Sequence, residues 1–117
     1  MNNNFSSYND GIAHIYTEKD SKNSFGAKIN VKSRDSLVKK GKSFYSEESR
    51  RVQDFEFAEG LNHQLTLKIK IPYNFKDLIK SSTKIVINNY LYDLIHFDPD
   101  IKKKEMYLYL EGVGEIE

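Results

Sequence analysis

Residues 63 to 71 constrain the fold of this chain more than any other stretch. His63, Leu65, Leu67, Ile69 and Ile71 alternate with Gln64, Thr66, Lys68 and Lys70, and a strict two-residue period puts the first set on one side of an extended strand and the second on the other. Downstream, Ile85-Val86-Ile87 and Tyr90-Leu91-Tyr92 flank Asn88-Asn89, two residues that tolerate the positive φ of a two-residue hairpin turn. Met106, Leu108 and Leu110 alternate with Tyr107 and Tyr109 in a last strand. From His63 to Val113 the chain therefore reads as strands joined by tight turns. The expected fold is mainly β, a small antiparallel β-barrel, with Leu67, Ile69, Ile87, Leu108 and Leu110 in its core.

The first half supplies the remaining elements. Ile12 to Thr17 is strand-like, with Ile12, His14 and Tyr16 opposite Ala13 and Ile15. Asp20 to Ser36 has Phe25, Ile29 and Val31 as its main apolar residues. It reads as a long polar loop after the first strand, or as a weakly specified hairpin, and so polar a stretch is expected to be poorly ordered in an isolated subunit. Gly41 to Tyr45 suggests a turn into a short strand carrying Phe44. Ser46 then caps one inserted helix from about Glu47 to Glu59, with Val52, Phe55 and Ala58 as its stripe and Gly60 as a left-handed stop. That helix would plug one side or end of the barrel. Pro72 ends the His63 strand, Phe75 to Lys80 is a short connector, and Asp98-Pro99-Asp100 forms a turn in a hairpin tipped by Lys102-Lys103-Lys104. Residues 1–10, rich in Asn and Ser, are expected to be a flexible tail that is held at Tyr8, and 11–117 a single domain large enough to bury a core.

Charge is uneven although the net value is only +1. Lys19 to Lys42 carries eight Lys or Arg against Asp20 and Asp35, a local balance of +6, whereas Ser43 to Glu117 has ten basic and thirteen acidic residues, a balance of −3. A basic stretch of this kind is either an electrostatic contact for an anionic partner or a solvated loop. There are no cysteines, which excludes disulfides and thiolate zinc sites and fits a reducing compartment. No apolar run approaches the ~20 residues of a membrane-spanning helix. The polar start Met1-Asn2-Asn3-Asn4 lacks the pattern of a secretory signal. A soluble protein, cytoplasmic where it is made, is expected.

Motifs for catalysis are missing: there is no serine elbow, phosphate loop or HExxH helix. His96, Asp98 and Asp100 are hard donors close together, but aspartates flanking a proline are more often turn chemistry, and the EF-hand pattern is absent. His14 and His63 have apolar same-side neighbours and read as structural histidines. No catalytic residue, cofactor or metal ligand is expected. Tyr90, Tyr92, Tyr107 and Tyr109 would suit base stacking on a barrel face, with Lys68 and Lys70 on phosphates. Tyrosines are equally good strand formers that pair across a sheet.

The run Phe44-Tyr45-Ser46-Glu47-Glu48-Ser49-Arg50-Arg51-Val52-Gln53-Asp54, followed by Leu65-Thr66-Leu67-Lys68-Ile69-Lys70, Tyr90-Leu91-Tyr92-Asp93-Leu94-Ile95 and Met106-Tyr107-Leu108-Tyr109-Leu110, resembles the head-closure proteins of long-tailed bacteriophages, the stoppers of the head-tail connector. The resemblance spans about residues 12 to 113 and rests on element order. Members often have Arg on the strand after the helix and a Trp before it, where this chain has Lys68 with Lys70, and Phe44 with no Trp. The resemblance implies a structural virion protein without enzymatic activity. It would form a ring of its own copies beneath the portal and adaptor proteins, close the DNA exit channel and dock tail-completion proteins, located in the virion neck after assembly in the host cytoplasm. It also implies that the long loop lines or gates the channel, which would set Lys28, Lys32 and Arg34 towards packaged DNA. The alternative is an OB-like nucleic-acid-binding module.

Overall fold

The computed structural model describes residues 8–18, 37–73, 79 and 82–116. Along the chain these form β1 (Gly11–Glu18), β2 (Leu37–Glu47), α1 (Val52–Gly60), β3 (Leu67–Pro72), β4 (Thr83–Ile87), β5 (Tyr90–Asp100) and β6 (Glu105–Glu115). The strands close into an antiparallel barrel in the order β1-β2-β3-β6-β5-β4, with β1 paired to both β2 and β4. Closure leaves no free sheet edge where the ladders are complete. The shortest ladder is β2 with β3, where Ser46 and Glu47 face Lys70 and Ile69, extended by the Glu48 N–H donating to the Lys68 carbonyl at 2.8 Å.

Alternating side chains fill the interior. Ile15, Ile69, Ile71, Ile85, Leu108 and Leu110 are fully buried there, joined by Ala13, Tyr45, Ile87 and Met106. The barrel interior is thus filled by the side chains of the described residues. Of the expected core residues, Ile69, Ile87, Leu108 and Leu110 are buried, while Leu67 is half-buried against the same cluster. The Asn88-Asn89 hairpin forms as its residues dictate, with φ of 51° and 63°.

Three bulges break the two-residue period. Between β5 and β6, Leu94 faces Leu110 and His96 faces Tyr109, leaving Ile95 as an extra residue on β5. The extra residue turns Ile95 outward, so Leu94 and Phe97, three positions apart, both reach the interior. On β6, Val113 is extra where Tyr92 faces Gly112 and Leu91 faces Gly114. Gly114 has φ of +153°, and a Cβ on Gly112 would lie 3.1 Å from the Tyr90 ring, so glycine suits both positions. On β2, Lys40 is extra where Ile15 faces Gly41 and Tyr16 faces Lys39.

Several boundaries differ from the sequence expectation. The short Gly41–Tyr45 strand is part of an eleven-residue β2 that includes Gly41, Ser46 and Glu47. Those last two residues close the barrel on β3, so the helix starts at Val52 with Arg51 as its N-cap. Gly60 is the last helical residue, not a left-handed stop; the positive φ belongs to Asn62, at 61°. The strand expected from His63 begins at Leu67. Leu65 packs outside with Ala58 and Tyr109, whereas Leu67 faces the interior, so the alternation breaks between them. Asp98, Pro99 and Asp100 are β5 residues, and the turn is the next four, Ile101 to Lys104. The loop Asp20–Ser36 and the tail up to residue 7 lie outside the described residues. So does the Phe75–Lys80 connector, except Ile79, which is buried in the interior cluster. Tyr8 lies under the Lys70 ammonium, 5.7 Å from ring centre to Nζ.

Replacing Leu108 by Ala should lower unfolding free energy by ~2–5 kcal/mol, the usual cost of a cavity at a fully packed site. Urea denaturation checks this, and an unchanged midpoint would mean the interior face is misassigned.

Candidate functional site

The outer face of β3 and β6 carries the densest polar network among the described residues. β3 presents Lys68 and Lys70 outward, facing Tyr109 and Tyr107 across the ladder. Such a face of tyrosines and lysine stems needs cover, and α1 supplies it. Ala58 of the helix packs with Leu65 and Tyr109, flanked by Ile95 and Tyr107. The Phe57 ring sits 5.0 Å from His96, which is 5.7 Å from Tyr109. The helix lies on the outside of the barrel and plugs neither end. Its buried side is Asp54 and Ala58, while Val52 and Phe55 of the expected stripe are exposed.

Asp54 holds the helix to the barrel. Lys68, only 6 % exposed, donates through Nζ to Asp54 Oδ2 at 3.1 Å. The same ammonium lies 5.3 Å and 5.2 Å from the centres of the Tyr107 and Tyr109 rings, a cation–π arrangement strengthened by exclusion of water. Arg51 donates to Asp54 from its backbone N–H at 2.9 Å and from its guanidinium at 3.3 and 3.4 Å. Burial alone would push the Asp54 carboxyl up, but the hydrogen bonds from Arg51 and Lys68 outweigh it and hold the group below its ordinary value. Lys70 reaches Glu105 at 3.6 Å and Glu48 at 3.8 Å. The Tyr107 hydroxyl donates to Glu105 at 3.2 Å. Tyr107 is pushed up to about 12, first by burial and then by the charge and hydrogen bond of Glu105. Tyr109 is raised by burial and by Asp54 and Asp98. Both phenols therefore stay protonated at neutral pH.

An open depression of about 410 Å³ borders this network, lined by Ser49, Arg51, Lys68, Asp98 and the two tyrosines among others. Its cations are already matched by carboxylates at close range. A phosphate binding to Lys68 would have to displace Asp54 from a buried pair, so Lys68 is not the exposed phosphate contact suggested by its place in the alternation. Nor do the four tyrosines share a face. Tyr92 packs against the interior cluster, with the Tyr90 ring tilted against it at 5.0 Å, on the opposite side of the sheet from Tyr107 and Tyr109.

His96 takes part in the aromatic cluster with Phe57, Phe97 and Tyr109, and no three His, Asp or Glu side chains among the described residues gather as a metal site. His63 pairs through Nδ1 with Glu111 at 2.9 Å, a structural contact that ties the chain after α1 to β6. Lys28, Lys32 and Arg34 lie outside the described residues. Sequence reasoning missed Asp54, Arg51 and Glu105. For Asp54 the available signal was its position three residues after Arg51, where a carboxylate reaches back to a helix's first N–H. Among the described residues no helix is long and apolar enough to cross a membrane. No family model matches the chain, and no curated protein matches it.

Asp54→Ala should destabilise by ~3–5 kcal/mol because it strands a buried ammonium. Lys68→Met should cost less, since Asp54 keeps its Arg51 donors. Chemical denaturation of both variants tests the order, and equal losses would count against it.

Acid titration gives a second check. Glu111, like Asp54, is held below its ordinary value: burial would raise it, but His63 and the Gln64 N–H outweigh that effect. A carboxylate depressed in the folded state contributes stability that is complete above the unfolded pKa and is lost as pH falls through the folded one. Stability should fall from pH ~5 towards pH ~2, and Asp54→Asn should flatten that fall.

Proposed function

We propose that this protein is a structural subunit of a tailed-phage connector: a ring of copies below the portal and its adaptor that closes the DNA exit channel after packaging and docks the tail. The supporting observation is the order of elements. A small closed barrel has one helix between β2 and β3, lying outside the sheet, and its first two strands are joined by the basic segment from Lys19 to Ser36. This is the order on which the resemblance to head-closure proteins rests. Because the barrel interior is filled by side chains, a channel closed by this protein has to lie between copies. The partners of this reading are the portal and adaptor proteins, tail-completion proteins, other copies of the chain, and packaged DNA near Lys28, Lys32 and Arg34. The protein resides in the virion neck, having assembled in the host cytoplasm.

Replacing Lys28, Lys32 and Arg34 together by Ser should leave the barrel's stability within ~0.5 kcal/mol while increasing DNA leakage from filled heads, as charges facing DNA are removed. The measurement pairs electron microscopy of incorporation on portal complexes with nuclease sensitivity of packaged DNA. Normal incorporation with normal retention would eliminate the charged gate, and absence of any ring on the portal would eliminate the connector role.

A further inference from the structure

Two exposed surfaces on opposite sides of the β2–β3 junction are complementary. On β2, the bulge at Lys40 sets Lys39 and Lys40 both opposite Tyr16, so both turn to the outer face where Lys42 and Phe44 already lie. Phe44 is 63 % exposed and pairs across the ladder with exposed Ile12. This face therefore runs from an apolar pair, Ile12 and Phe44, into three lysines. On α1, Val52, Phe55, Glu56 and Glu59 follow i, i+3, i+4, i+7 spacing and form one stripe. All four are exposed, Val52 at 72 %. This stripe runs from an apolar pair into two carboxylates. Among the described residues Lys39, Lys40, Lys42, Glu56 and Glu59 have no ion-pair partner.

The spacings also agree. Along a strand, two residues cover ~7 Å, the step from Phe44 to Lys42. Along a helix, four residues cover ~6 Å, the step from the Val52/Phe55 pair to the Glu56/Glu59 pair. Arg50 stands at the apolar end, 5.7 Å over the Phe55 ring, away from the carboxylates. One chain offers both surfaces, and neither has its counterpart among the described residues of the same chain.

We propose that the occupant of the β2 face is α1 of a second copy, giving a head-to-tail contact in which Phe44 meets Val52 and Phe55 while Lys40 and Lys42 meet Glu56 and Glu59. A contact between two different faces repeats and closes into a ring when the rotation per copy allows. This assignment rests on the connector reading for its ring but makes its own demand on which surfaces touch.

Charge exchange tests it on the full-length chain. Lys40→Glu with Lys42→Glu forms one variant, and Glu56→Lys with Glu59→Lys the other, and circular dichroism checks that each folds. Sedimentation of concentrated protein, and ring counting on portal complexes, should show self-association of each variant alone weakened by roughly a hundredfold or more, because like charges then face one another. An equimolar mixture should recover assembly, since both its interfaces are again complementary. The chain has no cysteine, so Phe44→Cys and Phe55→Cys variants give a second readout, with disulfide-linked dimers expected in their mixture and not from either alone. Wild-type protein without self-association or cross-linking in any of these settings would overturn the proposal. So would rings unaffected by the exchanges, a result that leaves the connector role standing. Lysine variants that lose DNA retention while their rings persist would assign those lysines to a polyanion and overturn it too. Head-to-tail association that never forms on a portal would instead sink the connector role and leave the contact.

Discussion

The ion pair between Lys68 and Asp54 fixes how α1 lies on the outside of the barrel. The barrel interior is satisfied by aliphatic side chains, but the outer face of β3 and β6 carries lysines and tyrosines that pack poorly against an ordinary apolar helix. α1 has few apolar residues on its buried side, so hydrophobic burial alone would not fix its position. A carboxylate in its first turn, meeting a desolvated ammonium between two aromatic rings, does. The same carboxylate receives the N–H that starts the helix, so one group sets where α1 begins, which face it buries and how it lies on the sheet. Because Asp54 and Ala58 face the barrel, Val52 and Phe55 are left facing solvent.

That division of surfaces bears on function. Cations on the outer face of β3 are neutralised at short range, and the phenols beside them are held in their protonated form, so the region is built as a fixed joint. Among the described residues, the lysines and Phe44 of β2 and the outward stripe of α1 are available for contact. A protein of this size with a solid core and its unmatched side chains on separate faces is suited to assembly into a larger body, which is the role proposed for it.

The barrel was legible from the sequence where period-2 patterning and turn chemistry agree. Leu67 to Ile71, Asn88-Asn89 and Met106 to Leu110 each carry their conformation locally. The helix was legible as an element but not in its position: Ser46 and Glu47 look like a cap and first turn, yet their backbone closes the barrel on β3, a long-range pairing that no local propensity encodes. Asp98-Pro99-Asp100 has turn chemistry and sits in a strand, with the reversal displaced to the following lysines. The site was the least legible part. Lys68 occupies a solvent-side slot in the alternation and is nevertheless buried, because what covers it comes from a helix fourteen residues earlier. The charges of Lys28, Lys32 and Arg34 were readable as a cluster, but they lie outside the described residues.

The extra residue Ile95 gives β5 an outward side chain that unbroken alternation would not supply. Up to Leu94 the strand serves the barrel with one parity, and from His96 onward with the other, so a single chain segment supplies both the interior and the aromatic wall beneath α1. The pairing runs on across the extra residue, with Leu94 facing Leu110 and His96 facing Tyr109, the adjacent residue of β6. Losing Ile95 would close the bulge without putting the later residues out of phase: His96 would still face Tyr109 on the outside and Phe97 would still face Leu108 in the interior. What a deletion there removes is the outward Ile95 side chain packed against Ala58, Leu65 and Tyr109, so its cost falls on the seat of α1 and not on the barrel interior.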